Sequence, residues 1–332
     1  MANGKKAGSQ KTAARVTKAE GLELYRIMKQ IRVFEEASAS QYMRGRIRGF
    51  LHLYIGEEAI AAGAIPLLAK QDYITTHYRD HGHALARGMS PNAAMAELFG
   101  RATGSSKGKG GSMHLIDANI GMMGGYAIVG GQLPLGVGLA LANNYKGNDS
   151  IVLTFLGDGA LSEGEFHEAM NLAAIWKLPI IFFCENNLYG MGAPVSEVFA
   201  VKDIYKIAEP YGIPSLQVDG MDVLAVRDAM RDVVRHVRQG NGPYFVEALA
   251  YRFRGHSMAD PNEYRNKAEE EFWKQRDPIT SFRAYLVNEL GVAEADIDAL
   301  DQEVDAEIEA AVKFAEESPE PDLSELHTDI TA

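Results

Sequence analysis

An α/β domain built on a parallel sheet is the fold class that this sequence predicts, and three observations carry it. The apolar run Ile151–Leu156 is followed by Gly157-Asp158-Gly159, a helical pattern from Glu163 to Trp176, and a second apolar run, Leu178–Cys184, closed by Glu185-Asn186-Asn187. That order reads as a strand, a crossover helix and a parallel strand. The alternation then repeats: Ser215–Val218 as a strand, Asp222–Val237 as a helix with Val226, Met230, Val233 and Val237 on one face, and Tyr244–Phe253 as a strand. Finally, 332 residues at 46% hydrophobic and 23% charged give the balance of a folded globular chain of one large domain or two small ones.

The elements follow in order. Residues 1–18 carry five positive charges, no acid and few large apolar side chains, so residues 1–19 are expected to be a disordered basic arm. With one arginine and no apolar helical face, the arm fits a mitochondrial transit peptide less well. Leu22, Leu24, Ile27, Met28, Ile31 and Phe34 then recur at helical spacing towards Met43, and the glycines and arginines of 44–49 end the helix. A second helix runs from about Glu57 towards Pro66, and a third starts at Ser90-Pro91. Between Gly100 and Gly131 there are ten glycines in 32 residues. Met113, His114, Leu115, Met122, Met123 and Tyr126 are interleaved with them, which a plain linker does not carry, so a functional loop over a site or a partner is expected.

The net charge of −12 resides wholly in one segment, because Glu294–Glu325 holds 13 acidic residues and one lysine. Ile297, Leu300, Val304, Ile308, Val312 and Ala315 recur through it, so it reads as a solvated amphipathic helix rather than a signal about partners. Nothing favours nucleic acid. The apolar runs are too short for a bilayer and no signal-peptide core follows Met1. The single cysteine, Cys184, forbids an intrachain disulfide and a cysteine-built zinc site, which fits a reducing compartment. The expected organisation is the arm at 1–19, one α/β domain over 20–325 and a tail at 326–332.

Chemistry concentrates at the strand ends. Loops after the carboxyl ends of parallel strands share one edge, where open α/β sheets bind ligands, and Asp158 and Asn187 both fall there. On neighbouring strands about 4.8 Å apart their oxygens can meet one small cation. Gly157 and Gly159 admit a ligand close to the backbone, and the helix that follows offers free amides to an anion. A magnesium-bound diphosphate satisfies these features together. Gly136 and Gly138 lack a third glycine, Leu141 standing there, so the dinucleotide fingerprint fails.

The 29-residue spacing from Asp158 to Asn187, with its double asparagine, resembles the thiamin diphosphate motif. Tyr78–Gly82, Lys107–His114, Ile128–Gln132, Glu185–Gly192 and Tyr251–Pro261 extend the likeness. Over residues 20–325 the chain resembles the alpha-subunit family of the decarboxylating component of pyruvate dehydrogenase. The resemblance implies a parallel-sheet thiamin diphosphate-binding fold with extra N- and C-terminal helices. It implies thiamin diphosphate and Mg2+ as cofactors, with magnesium held by Asp158, the Asn187 side chain and the main-chain oxygen of Tyr189. Tyr78 and Arg79 would reach the diphosphate, Gly159 and Ala160 would line it, and Ala127 and Val129 would contact the aminopyrimidine. His256 would cap the phosphates, while His52, behind Phe50, and His81 would lie near the substrate; these three are the catalytic candidates. His77, His83, His114 and His167 read as structural or exposed. Ala127 stands where the family usually has glycine, and two extra residues precede it around Gly121–Met123.

The implied activity is oxidative decarboxylation of pyruvate with transfer of the acetyl group to a lipoyl arm, in a bacterial cytoplasm. One domain fills the length, so the glutamate that sets the cofactor tautomer would come from a beta subunit in an α2β2 heterotetramer, which serves a lipoyl-bearing acetyltransferase component. Branched-chain 2-oxoacid and acetoin dehydrogenase alpha subunits share the magnesium motif, and a structural subunit with a degenerate site is the non-enzyme alternative. Ser257 matches a regulated phosphorylation position of mitochondrial relatives. A second such site is absent, Asn262-Glu263 preceding Tyr264-Arg265 where a serine is expected.

Overall fold

The computed structural model describes residues 16–330. Its centre is a six-stranded, all-parallel sheet: β1 (Tyr73–His77), β2 (Met122–Tyr126), β3 (Val152–Gly157), β4 (Ile180–Asn186), β7 (Ser215–Asp219) and β8 (Tyr244–Leu249), in the order β2-β1-β3-β4-β8-β7. A two-residue antiparallel pair, β5 (Tyr189–Gly190) and β6 (Ala193–Pro194), follows β4. The expected fold class is the one observed.

Apart from Thr154, β3 and β4 are apolar up to Leu156 and Cys184 because helices cover both faces of the sheet. Leu153, Phe155, Ile181 and Phe183 join one core, whereas Val152, Leu156, Ile180 and Phe182 join the other, which is the two-residue period of a strand. On the first side lie α1 (Lys18–Met43), α2 (Glu58–Ala64), α3 (His81–Arg87), α4 (Pro91–Leu98) and α8 (Val223–Arg238). On the other lie α5 (Gln132–Lys146) and α6 (Gly164–Ile175). After a short α7 (Val195–Val198), the late helices are α9 (Lys267–Lys274), α10 (Pro278–Asn288) and α11 (Glu294–Glu317). The buried stripe of α11, Ile297, Val304, Ile308, Ala311 and Ala315, meets α1 and α4, leaving its acidic face to solvent.

Helix α1 starts inside the segment expected as the arm. Thr17 caps the helix in a capping box, its hydroxyl taking the Glu20 amide at 3.2 Å while Glu20 Oε2 takes the Thr17 amide at 2.9 Å. Residues 17–19 of the expected arm are therefore the cap and first turn of α1, and residues 1–15 lie outside the described residues. Residues 326–330 of the expected tail are described; 326 and 327 end a 3-10 turn, Leu323–His327, and 328–330 follow it. No helix among the described residues is long and apolar enough to cross a membrane.

The glycine-rich stretch holds more than a loop, since β2 forms the sheet edge inside it. Gly121 has φ +76°, and a side chain there would strike the Asp72 carbonyl; at Gly125 it would strike the Asp80 carboxylate. Glycine is thus the means by which this strand closes on β1. Earlier in the segment the Glu97 carboxylate gathers the amides of Ser106, Gly108, Gly110 and Gly111 at 2.7 to 3.0 Å, which folds the loop around a buried anion.

Candidate active site

A cavity of about 500 Å³ opens at the carboxyl edge of the sheet. Strand register puts it there: Gly157 pairs with Glu185 at the level ends of β3 and β4, so Asp158 and Asn187 emerge side by side. Of the residues expected at the site, His52, Tyr78, Arg79, Ala127, Val129, Asp158, Gly159, Ala160, Asn187, Tyr189 and His256 all line this one cavity.

The two asparagines after β4 divide the work. Asn186 holds the turn, donating from Nδ2 to Glu247 at 2.7 Å and accepting the Leu188 amide at 3.1 Å. Asn187 donates from Nδ2 to both Glu57 oxygens at 3.3 Å, which fixes its amide orientation. Its Oδ1 is buried without a hydrogen-bond partner. The loop beyond is held in unusual backbone conformations, with Leu188 at φ +74° and Met191 at φ +58°. Asp158 is 3% exposed, and burial pushes its carboxyl up to about 6 against the pull of a backbone amide, the Arg252 charge and the Asn187 amide. A buried carboxylate, an orphaned amide oxygen and a nearby main-chain oxygen form the hard donor set that magnesium prefers. The Tyr189 carbonyl also takes Arg252 Nη1 at a long 3.4 Å, which leaves it a second lone pair.

Arg79 does not pair with Asp72 or Asp80. Its Nη1 donates to the Leu53 carbonyl at 2.7 Å and Nη2 to the His256 carbonyl at 3.0 Å, and its Nε is 3.9 Å from Glu57. Those bonds hold a buried, cavity-lining cation in place. Beside it the rings of His52, Tyr78 and His256 cluster with centroids 4.6 to 5.7 Å apart. Burial, with the Arg79 charge next, pushes His52 down to about 2 and His256 down to about 4, so both are neutral at pH 7. The Nδ1 atoms of both are buried and unpartnered, which leaves each a polar atom for a ligand.

His81, expected near the substrate, does not line the cavity. It is fully buried away from the cavity, with Nδ1 2.8 Å from Glu35 and Nε2 3.1 Å from the Ser112 carbonyl. Burial opposes the charge, but the Glu35 carboxylate holds this imidazole above the ordinary histidine value. It starts α3, whose first residues turn inward beneath the loop they anchor. Conversely His77, read as structural or exposed, lines the cavity, as does Arg252. Arg252 falls within the Tyr251–Pro261 motif, but nothing in the spacing around His77 marks its side.

Next to Arg79, Asp80 accepts the Leu115 amide through Oδ2 at 2.9 Å, and its Oδ1 has no partner. Burial pushes this carboxyl up to about 7 from 3.8, against the His81 charge and the Leu115 amide. A folded value above the unfolded one means that stability is full at low pH and falls as pH rises from about 4 to about 7. Asp80→Asn is expected to flatten that slope and to leave the protein about 1 to 3 kcal/mol more stable at pH 8. Denaturant midpoints at pH 5 and pH 8 measure it; equal pH slopes in both proteins would show that Asp80 stays ionised.

An all-parallel sheet with a charged, cofactor-sized cavity at its strand carboxyl ends defines the class as an α/β cofactor-binding protein. Residues 26–324 match the family model of the Dehydrogenase E1 component, and the chain belongs to that family, whose members depend on thiamin diphosphate. It is 48% identical over 320 residues to a pyruvate dehydrogenase E1 component subunit alpha of Rhizobium meliloti (strain 1021), covering 96% of this chain and 92% of that one. The subunit of that name from Rickettsia bellii (strain RML369-C) is 44% identical over 313 residues, 94% and 96% of the two chains. The chloroplastic subunit alpha-3 of Arabidopsis thaliana is 42% identical over 333 residues, 98% and 78%.

Proposed function

We propose that the chain is the alpha-type subunit of an enzyme that oxidatively decarboxylates pyruvate and passes the acetyl group to a lipoyl group, acting in a bacterial cytoplasm. The observation that carries it is the Asp158–Asn187 pair, one buried carboxylate and one orphaned amide oxygen, beside the buried Arg79. Asp158, Asn187 Oδ1 and the Tyr189 carbonyl would hold Mg2+. Arg79, Tyr78 and the backbone at Gly159 and Ala160 would hold the diphosphate, with Ala127 and Val129 against the aminopyrimidine. When bound, thiamin diphosphate supplies the carbanion chemistry that lets a 2-oxoacid lose carbon dioxide.

The chain's own residues do the rest. Arg79 matches diphosphate oxygens with a fixed charge that needs no protonation change. A neutral His256 can donate one hydrogen bond to those oxygens, and a neutral His52 beside it can take or give a proton near the substrate. Around the mouth Ile128 at 73%, Met191 at 64% and Phe50 at 63% are exposed, an apolar rim that supports a covering partner. That partner is the beta subunit of an α2β2 assembly, which would supply the tautomer-setting glutamate, and a lipoyl-bearing acetyltransferase component would take the product.

Reconstitution tests this reading. The chain assembled with its beta subunit is expected to turn over pyruvate with kcat/KM about tenfold or more above branched-chain 2-oxoacids and acetoin, the scale of a few methylenes in an apolar pocket. The chain alone, with saturating cofactor and magnesium, should be inactive. Preference for another substrate, or turnover by the isolated chain, would overturn the assignment.

A further inference from the structure

Below the cavity, the His77 ring closes a buried hydrogen-bond chain. Its Nε2 is 2.6 Å from Glu185 Oε2, and its Nδ1 takes the Arg79 amide at 3.1 Å. Glu185 is fully buried and also meets His83 Nε2 at 3.0 Å and the Tyr54 hydroxyl. His83 Nδ1 meets the Thr76 hydroxyl at 3.2 Å, so the chain ends on a side chain of β1.

Side-chain atoms of His77, His83 and Glu185 lie within 4.8 Å of one another, which is the spacing of a metal cage. The tautomer of His77 argues against one. A backbone amide can only donate, so Nδ1 carries the lone pair and the neutral ring carries its proton on Nε2. A cation bound at Nε2 would need that atom free of its proton, and Nδ1–H would then face the Arg79 amide donor to donor. The three groups therefore form a hydrogen-bond relay, with the Glu185 carboxylate accepting from both rings and from Tyr54.

We propose that His77 is a positioning residue for the diphosphate site: Glu185 fixes its Nε2–H tautomer, and the Nδ1 lone pair so fixed holds the Arg79 amide. The turn from Tyr78 to Asp80 is thereby set in the conformation that sends the Arg79 guanidinium to the Leu53 and His256 carbonyls. The inference rests on the thiamin diphosphate reading for its ligand, but its geometry belongs to this chain alone. Acceptance of an amide two residues on is the contact of an Asx- or ST-turn. Asn or Ser at position 77 can therefore replace Nδ1 with a side-chain oxygen. Gln is one methylene longer and places its amide where Nε2 stands, so it can serve Glu185 but not the Arg79 amide.

The test uses the full enzyme, assembled with its beta subunit and freed of cofactor, as wild type, His77→Asn, His77→Ser and His77→Gln. Three readouts are taken: hydrogen exchange of the Arg79 amide, the thermal midpoint, and calorimetric affinity for thiamin diphosphate with magnesium. The Asn and Ser variants are expected to keep slow exchange and near-native affinity while losing thermal stability, because Glu185 loses a donor. The Gln variant should keep more of its stability but exchange faster and bind about tenfold more weakly, the scale of one hydrogen bond. Affinity and stability thus rank the variants in opposite orders. If they rank together, or if the Arg79 amide exchanges equally in all variants, the proposal falls. Where the Asn variant does not assemble, the Ser variant carries the same comparison. A wild-type enzyme that binds no thiamin diphosphate sinks the cofactor reading instead, and the exchange order still decides whether His77 sets the turn.

Discussion

Asp158→Ala is expected to reduce magnesium-dependent affinity for thiamin diphosphate at least about a hundredfold, because it removes the only carboxylate of the proposed donor set. The fold should survive and even gain. Asp158 is 3% exposed and its carboxyl is pushed up to about 6 from 3.8 by burial. Without a bound cation the ionised form is therefore a cost, absent at low pH and growing as pH rises through that range, worth about 1 to 3 kcal/mol at neutral pH. Asp158→Asn, which keeps the side-chain volume, should show this most cleanly as a raised thermal midpoint of the cofactor-free protein at pH 7.5. Asn187→Ala should lower affinity less, since a neutral oxygen is lost, and should leave Glu57 without the Nδ2 donor it now has. Calorimetric titration with cofactor and magnesium, beside thermal melts without them, separates the two effects. Native affinity in Asp158→Ala would remove Asp158 from the metal site altogether, whatever the melts show.

How much of this the sequence discloses depends on which residues carry a strand. The runs of β3 and β4 are plain because both faces are covered and, Thr154 apart, every residue of Val152–Leu156 and Ile180–Cys184 is apolar. By contrast β1 is Tyr-Ile-Thr-Thr-His, and its polar members are satisfied inside the protein. Thr75 bonds Thr154 on the next strand at 2.7 Å, and Thr76 bonds His83. No periodicity marks such a strand. The edge strand β2 hides for the opposite reason, since the glycines that let it approach β1 are the residues that read as loop.

The site divides along the same line. Asp158 and Asn187 directly follow recognisable strand ends, so their edge is implied by topology alone, whereas β8 ends at Leu249 rather than the expected Phe253 and His256 lies in the loop beyond it. His77 and His81 are four residues apart around the end of β1, and sequence offers no means of telling which ring faces the cavity. The structure answers through partners: Glu35 and Ser112 take both nitrogens of His81 below the loop, while Glu185 draws His77 to the cavity wall.

Ser257→Glu is expected to cut pyruvate turnover by the assembled enzyme about tenfold to a hundredfold, with Ser257→Ala near wild type. Ser257 follows His256, whose carbonyl takes Arg79 Nη2 at 3.0 Å and whose ring lines the cavity. The segment is short and tied at both ends: the Asp260 amide donates to the Ser257 carbonyl at 3.0 Å, Asp260 Oδ2 takes the His256 amide at 2.6 Å, and the Met258 amide reaches the Leu51 carbonyl at 2.9 Å. A carboxylate added there has little freedom to swing away. It would stand close to the diphosphate, which is already anionic, and would compete for Arg79. Both effects weaken cofactor binding first, so the apparent affinity for thiamin diphosphate should fall more than kcat at saturating cofactor. Raising ionic strength should recover part of the loss, because a half-exposed charge is screened over about 8 to 10 Å. If glutamate and alanine both leave turnover untouched, the segment does not act on the site and the placement of His256 at the phosphates falls with it. If alanine is as damaging as glutamate, charge is not the cause and the serine hydroxyl itself is part of the machinery.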